Sequence, residues 1–281
     1  MVEEIINQKT ISDETLNQKL NNVGYIVVPF LSNEEIEDLK SFFYEHHQSD
    51  IPGFYASTHS PDIAFRLKMN EKIKAVFQKH VDEWFNNCEA LGGAFIVKTK
   101  DQPDKLPPHQ DWNIVDESKY RSFNVWVPLV DLSEENGAIR VLPKSHLRGE
   151  SYRGPKIPDA NQDKLDKYWD EMTTLNMKAG EALIYDHSLY HASYPNQTDN
   201  FRLATVFGVK PSEAKMYYYY GAPDGIDMYE SSVDFYLTGD IQNGPASLTK
   251  VKRVKNYEQH PPEKALEKPS SFWEKVKSFF S

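Results

Sequence analysis

His109 and Asp111 stand two residues apart in the stretch Pro107-Pro108-His109-Gln110-Asp111. In an extended chain residues i and i+2 face the same way, so an imidazole nitrogen and a carboxylate oxygen can converge on one point. His191 lies far along the chain in Tyr190-His191-Ala192-Ser193. If it reaches the same point, two histidines and one carboxylate occupy one face of a metal and leave three positions open. That donor set suits non-haem Fe(II) oxygenases, because a bidentate 2-oxo acid can fill two open positions and dioxygen the third. A histidine and an aspartate spaced this way are common by chance, and a hydrogen-bonded structural pair is the plainer reading of those two residues alone.

Arg202 strengthens the metal reading. Residues 195–200 (PNQTDN) are rich in turn formers and separate two strand-like runs, which reads as a hairpin. Pairing residues 189–193 with 201–206 so that His191 faces Arg202 would line one pocket with a metal ligand, the hydroxyl of Ser193 and a guanidinium. Such a pocket fits a dicarboxylate: the metal holds the 2-oxo acid end, and the arginine forks onto the far carboxylate. His187 rivals His191, since HSLYH has the i, i+4 spacing of a helical zinc pair. Residues 180–185 read as a strand, however, and only His191 has serine and arginine at useful offsets. His146 reads as structural, and Asn136-Gly137 as a turn that tolerates positive φ.

These residues need a scaffold, and the hydrophobic pattern supplies one. The chain has 281 residues, 39% hydrophobic and 13% aromatic, with 16 Tyr, 15 Phe and 5 Trp, enough apolar material for a sizeable core. Residues 24–30 read as a buried strand. Ser32 with Glu35 three residues later forms a capping box that opens a helix over 33–47. A second helix is expected over 70–88, after a loop over 50–65. Strands follow at 94–97, 122–130, 138–142, 182–185, 189–193 and 201–209, interrupted by a charged insertion over 147–178 expected to be a loop plus a short helix. In 122–130, Phe123, Val125 and Val127 face one way, and Asn124 and Trp126 the other. Tyr217 to Tyr220 form either a packing layer or a lid. Trp112, Asn113 and the loop over 53–66 are candidate substrate walls.

Together these residues resemble the phytanoyl-CoA dioxygenase family of Fe(II)- and 2-oxoglutarate-dependent oxygenases over roughly residues 20–210. GYIVVPFLSNEEIEDLK is similar to the family's opening strand and helix, and PPHQD to its H-x-D motif. VWVPLVDLSEENGAIRVLPKSH and GEALIYDHSLYHASYPNQTDNFR resemble its two downstream segments. The sequence departs from the usual pattern at Glu181, Lys144 and Ala192, where the family prefers Asp, Gly and Gly. The resemblance implies a mainly β protein with flanking α. Its core would be a double-stranded β-helix of jelly-roll or cupin-like type over about 90–215, with N-terminal helices packed on one sheet. It implies Fe(II) on His109, Asp111 and His191, and 2-oxoglutarate on Arg202 and Ser193, with Trp126 lining the same pocket. Asn124 shares the face of Trp126 and is counted with the cofactor-binding residues. Dioxygen would be consumed and succinate and carbon dioxide released. Halogenases of the family carry a small residue in place of the carboxylate, so Asp111 implies hydroxylation of an unactivated C–H bond instead.

The formal net charge of −10 disfavours a nucleic-acid partner. The single cysteine, Cys88, fits a reducing compartment. Residues 1–10 lack the apolar stretch of a signal peptide, and nothing reads as a transmembrane helix, so a cytoplasmic protein is expected. One catalytic domain is expected over 1–260. A Pro-rich linker and an amphipathic helix would follow over 261–281, a helix that could serve a homodimer but not stable membrane insertion. The substrate is expected to be a small or carrier-tethered molecule, amino-acid-like or a secondary metabolite. Two other classes remain: a zinc hydrolase, and a non-catalytic cupin-like binding protein.

Overall fold

The computed structural model describes residues 8–47, 51, 53–100, 105–147, 151–245 and 247–256. The tail expected to carry a linker and a helix over 261–281 lies outside them. Helix α1 (Glu14–Val23) begins on Asp13, whose side chain accepts from the Leu16 amide, and ends on Gly24 at φ +90°. A side chain at Gly24 would meet His146 and Leu189, so both the backbone and the packing demand glycine there. Strand β1 (Tyr25–Pro29) follows. Helix α2 (Asn33–His46) opens on the expected capping box, with Ser32 and Glu35 bonding each other's backbone.

After the short strand β2 (Phe54–Ala56), helix α3 spans Ile63–Trp84. It starts and ends earlier than the expected 70–88. The Asp62 side chain caps it, and Met69 adds a first turn to the buried stripe of Ile73, Phe77 and Val81. Residues 53–65 of the expected loop are therefore less of a loop than the turn formers there suggest, with β2 and the start of α3 among them.

Ten strands build two facing antiparallel sheets, neither of which closes on itself. Besides β1 and β2 these are β3 (Cys88–Lys98), β4 (Leu106–His109), β5 (Phe123–Pro128), β6 (Ile139–Val141), β7 (Thr173–Leu175), β8 (Glu181–Asp186), β9 (His191–Ser193) and β10 (Arg202–Pro211). The large sheet runs β1-β8-β5-β10-β3-β2, and the small sheet β4-β9-β6-β7. The jelly-roll core thus begins earlier than the expected 90, because β1 and β2 supply both edges of the large sheet. The insertion contributes helix α4 (Leu165–Glu171), whose residues pack with Leu142, Tyr190 and Ala192 of the small-sheet region.

Strand alternation sorts the side chains into two layers. Phe123, Val125 and Val127 of β5 join Ile73 and Phe77 of α3 and Leu39 and Phe43 of α2 in one apolar cluster. Burying each such side chain contributes about 1.5–3 kcal/mol. The N-terminal helices therefore buttress the large sheet, as expected. Trp126, Leu183, Tyr185 and Ala204 face the other way and meet Ile139 and Val141 of the small sheet. The candidate site lies in this seam.

A third antiparallel sheet follows: β11 (Tyr217–Ala222), β12 (Gly225–Glu230) and β13 (Thr249–Asn256), with helix α5 (Val233–Thr238) between the last two. Only its first strand was foreshadowed by the tyrosine run. Among the described residues no helix is long and apolar enough to cross a membrane.

Candidate metal and cosubstrate site

His109 ends β4 directly opposite His191 of β9, and the two ring centres stand 4.2 Å apart. Asp111 lies just beyond β4, with its backbone N–H donating to the His187 carbonyl at 3.0 Å. One ligand atom from each of His109, Asp111 and His191 falls within 4.8 Å of the others, and His191 Nε2 is 3.8 Å from Asp111 Oδ2. The Nδ1 atoms of His109 and His191 lie 2.8 and 3.1 Å from the carbonyls of Pro107 and Leu189. A carbonyl can only accept, so each Nδ1 donates, and in the neutral ring Nε2 keeps its lone pair for a metal. Burial, reinforced by the neighbouring His191, holds the His109 pKa down at about 4. Burial opposes the charge on Asp111, but its interactions with His191, His187 and His109 prevail and hold the carboxyl at about 2. Near neutrality both side chains are in the form that binds a cation.

Asp111 Oδ2 also accepts from Asn124 Nδ2 at 2.8 Å and from the Tyr185 hydroxyl at 3.0 Å. Burial and the Asp111 charge keep the Tyr185 phenol protonated, its pKa far above the ordinary value. Arg153, from the insertion, donates through Nε to the Asp111 carbonyl at 2.5 Å and pairs with Glu117. The carboxylate and the backbone that carries it are therefore fixed from separate sides.

Arg202 comes from the opposite sheet. The expected hairpin between 189–193 and 201–206 does not form: β9 pairs with β4 and β6, and β10 with β3 and β5. The reason lies at Asn196. Its Oδ1 accepts from Thr198, and its amide donates to the Lys98 carbonyl at 2.9 Å, which ties the turn to β3 and carries the chain across to the large sheet. The convergence nevertheless holds, because His191, Ser193 and Arg202 line one cavity from its two walls. The Arg202 side chain is 3% exposed, and its guanidinium carbon sits 5.4 Å from the Trp126 ring centre. Its Nε has no hydrogen-bond partner, and among the described residues it has no ion pair. Burial pulls its pKa down to about 10, so it stays cationic near neutrality.

The cavity measures about 170 Å³ and includes Phe54, from the loop read as a candidate wall, together with Trp126 and Asn124. Trp112 does not line it. Asn113 instead bonds Arg153 and Ser151. Tyr219 donates to the Val115 carbonyl and Tyr218 to that of Ile241, so the tyrosine run is a packing layer. His187 turns Nδ1 to Ser122 Oγ at 2.7 Å and stands outside the cluster of metal-binding groups. His146 lies 2.9 Å from the Asn21 carbonyl, as a structural residue would. Lys144, where glycine is usual, sits at φ +67°.

Sequence reasoning missed two residues, Tyr185 and Lys98. Both occupy inward positions of recognisable strands. A lysine at such a position is itself the signal, because buried lysines are rare without a partner.

The family profile described as phytanoyl-CoA dioxygenase matches residues 20–204, which include all three metal-binding candidates and Arg202. The chain belongs to the phytanoyl-CoA dioxygenase family. Among curated members, the dioxygenase trt7 of Aspergillus terreus is 30% identical over 116 residues, covering 39% of this chain and 36% of its own length. The chain spans about a third to a half of the length of the first curated relatives it matches. Two solved structures share the fold. SnoK, a non-haem alpha-ketoglutarate-dependent carbocyclase from nogalamycin biosynthesis, has a TM-score of 0.53 at 16% identity, covering 73% of this chain and 86% of its own. HygX from Streptomyces hygroscopicus, solved with nickel, 2-oxoglutarate and hygromycin B bound, has a TM-score of 0.50 at 18% identity, covering 72% and 88%.

Proposed function

We propose that this member of the phytanoyl-CoA dioxygenase family uses Fe(II), 2-oxoglutarate and dioxygen to hydroxylate an unactivated C–H bond of a small or carrier-tethered, amino-acid-like or secondary-metabolite substrate. The observation that carries the reading is the buried cation of Arg202, without an ion pair among the described residues, sharing one cavity with a two-histidine, one-carboxylate cluster. A buried guanidinium without a counterion is costly, and an anion entering the cavity removes that cost.

His109, Asp111 and His191 would hold the iron through their free nitrogens and carboxylate oxygen. Iron bound there supplies the site at which dioxygen is reduced as the 2-oxo acid loses carbon dioxide, leaving succinate. Arg202 would fork onto the far carboxylate of the cosubstrate, and Ser193 would add a hydroxyl donor. Trp126 places its ring within cation–π reach of the guanidinium. Phe54, Ile96 and Val206 add apolar lining to the rest of the cavity. At about 170 Å³ the cavity has room for a five-carbon dicarboxylate. Hydroxylation is the outcome read from the intact Asp111; SnoK, which shares the fold, is a carbocyclase. A zinc hydrolase is disfavoured, because among the described residues Asp111 is the one carboxylate lining the cavity, with no second one there to act as base.

The deciding experiment is an anaerobic titration of metal-free protein with Fe(II) and 2-oxoglutarate, followed by exposure to dioxygen. A saturable metal-to-ligand charge-transfer band, then succinate formation, is the expected result. A folded protein that gives neither ends the oxygenase reading.

Asn124 carries a further expectation. Because it donates to Asp111 Oδ2, Asn124→Ala should weaken Fe(II) binding about 10–100-fold, as loss of a partner holding a metal ligand does. Metal titration would measure this against an unchanged melting temperature of the metal-free protein. An unaltered Fe(II) affinity would remove Asn124 from the metal site.

A further inference from the structure

Lys98 is 0% exposed at the end of β3. It alternates with Ile96, which lines the cavity, so both point into the seam between the sheets. Its stem crosses that seam. Nζ donates to Ser193 Oγ at 2.8 Å and to the Tyr194 carbonyl at 2.6 Å on the far side. The passage is tight: a Cβ at Gly137, which sits at φ +94°, would lie 3.2 Å from Lys98 Cδ and 3.0 Å from the Tyr194 carbonyl oxygen.

Directly opposite Lys98 in the β3–β10 register stands Arg202. Two basic side chains are thus buried side by side, and among the described residues neither has a carboxylate partner. Among the described residues, the groups bonded to or paired with Lys98 carry no negative charge. Phe54 pairs with it from β2, Ser193 and Tyr194 offer a hydroxyl and a carbonyl, and Asn196 bonds its backbone. His109 on β4 adds only positive charge when protonated.

We propose that Lys98 is a positioning residue of the cosubstrate pocket, which orients the Ser193 hydroxyl toward a bound dicarboxylate and takes up a proton as that dianion enters. The proposal rests on the oxygenase reading above. With Nζ donating to Ser193 Oγ, the serine's own hydrogen is free to point into the cavity that Ser193 lines.

Burial, and after it the Arg202 charge, drives the Lys98 pKa well below that of a free lysine. A second carboxylate in the pocket supplies the missing counter-charge and raises it again. Between those two values the entering dianion is accompanied by one proton, which passes from buffer to Nζ. Affinity then falls as pH rises through that window. A 2-oxo acid without the far carboxylate lacks the charge that drives the uptake.

The test is calorimetric titration of 2-oxoglutarate into Mn(II)-loaded protein without dioxygen, in paired buffers of different ionisation enthalpy at several pH values from about 6 to 9. Wild type is expected to show buffer-dependent heats that report net proton uptake within that range. Lys98→Met, which keeps the apolar stem, should bind at least about tenfold more weakly and with no proton uptake. Ser193→Ala should weaken binding yet retain the uptake. Binding by wild type with equal heats in both buffers at every pH overturns the role of Lys98 and leaves the oxygenase reading intact, as does uptake that persists in Lys98→Met. No binding in either buffer removes the cosubstrate reading and this proposal with it.

Discussion

Arg202→Ala is expected to raise the 2-oxoglutarate concentration needed to saturate the Fe(II) protein by two to three orders of magnitude. Arg202 is buried, lies over the Trp126 ring and has no counterion among the described residues, so its hydrogen bonds to an entering carboxylate would form away from bulk water. Removing one partner of a buried charge pair costs about 3–5 kcal/mol, and each 1.4 kcal/mol is about a tenfold change. Fe(II) affinity measured without cosubstrate should hardly change, because Arg202 contributes no metal ligand. That separation is the informative part. A variant that loses metal and cosubstrate together would indicate a disturbed fold, and one that loses neither would mean that Arg202 does not hold the cosubstrate. Arg202→Lys should recover only part of the loss, since an ammonium cannot fork onto a carboxylate or stack on an indole as a guanidinium does.

His191→Ala should have the largest effect on the metal itself. It leaves one imidazole and one carboxylate, and it opens a hole where the His191 ring packs 4.8 Å from that of Tyr185. Stoichiometric Fe(II) binding at micromolar protein is expected to disappear, and with it the charge-transfer band and succinate formation. His187→Ala is the matched control. His187 is buried and close in sequence but outside the three-residue cluster, so its loss should lower the melting temperature while Fe(II) still binds. If His187→Ala abolishes metal binding and His191→Ala does not, the ligand assignment is wrong.

Much of this was legible in the sequence because the informative signals are local. The capping box at Ser32 and Glu35, the alternation in 122–130 and the turn at Asn136-Gly137 each depend on residues a few positions apart, and each recurs in the structure. The alternation correctly put Trp126 on the face away from Phe123, Val125 and Val127. What failed was pairing. The turn formers of 195–200 suggest a hairpin, yet the same residues serve a crossover between sheets. Contacts far away in sequence distinguish the two, among them the bond from Asn196 to the Lys98 carbonyl, 98 positions away. The third sheet was hard to read for a similar reason: β13 is mostly exposed and charged, held partly by Arg253 and Lys250 bonding to Asp227, and carries little apolar periodicity. Tyr185 was hidden by its type, since an inward tyrosine in a strand looks like core until a carboxylate is found against its hydroxyl.

The division of the site between two sheets has a mechanical consequence. The small sheet brings His109, His191 and Ser193, and the large sheet brings Arg202. A molecule held at one end by the histidine wall and at the other by the arginine would staple the layers together, and its binding free energy would add to the resistance of both sheets to opening. Slowed amide exchange would then appear in β9 and β10 at once, although the two strands are not neighbours in either sheet.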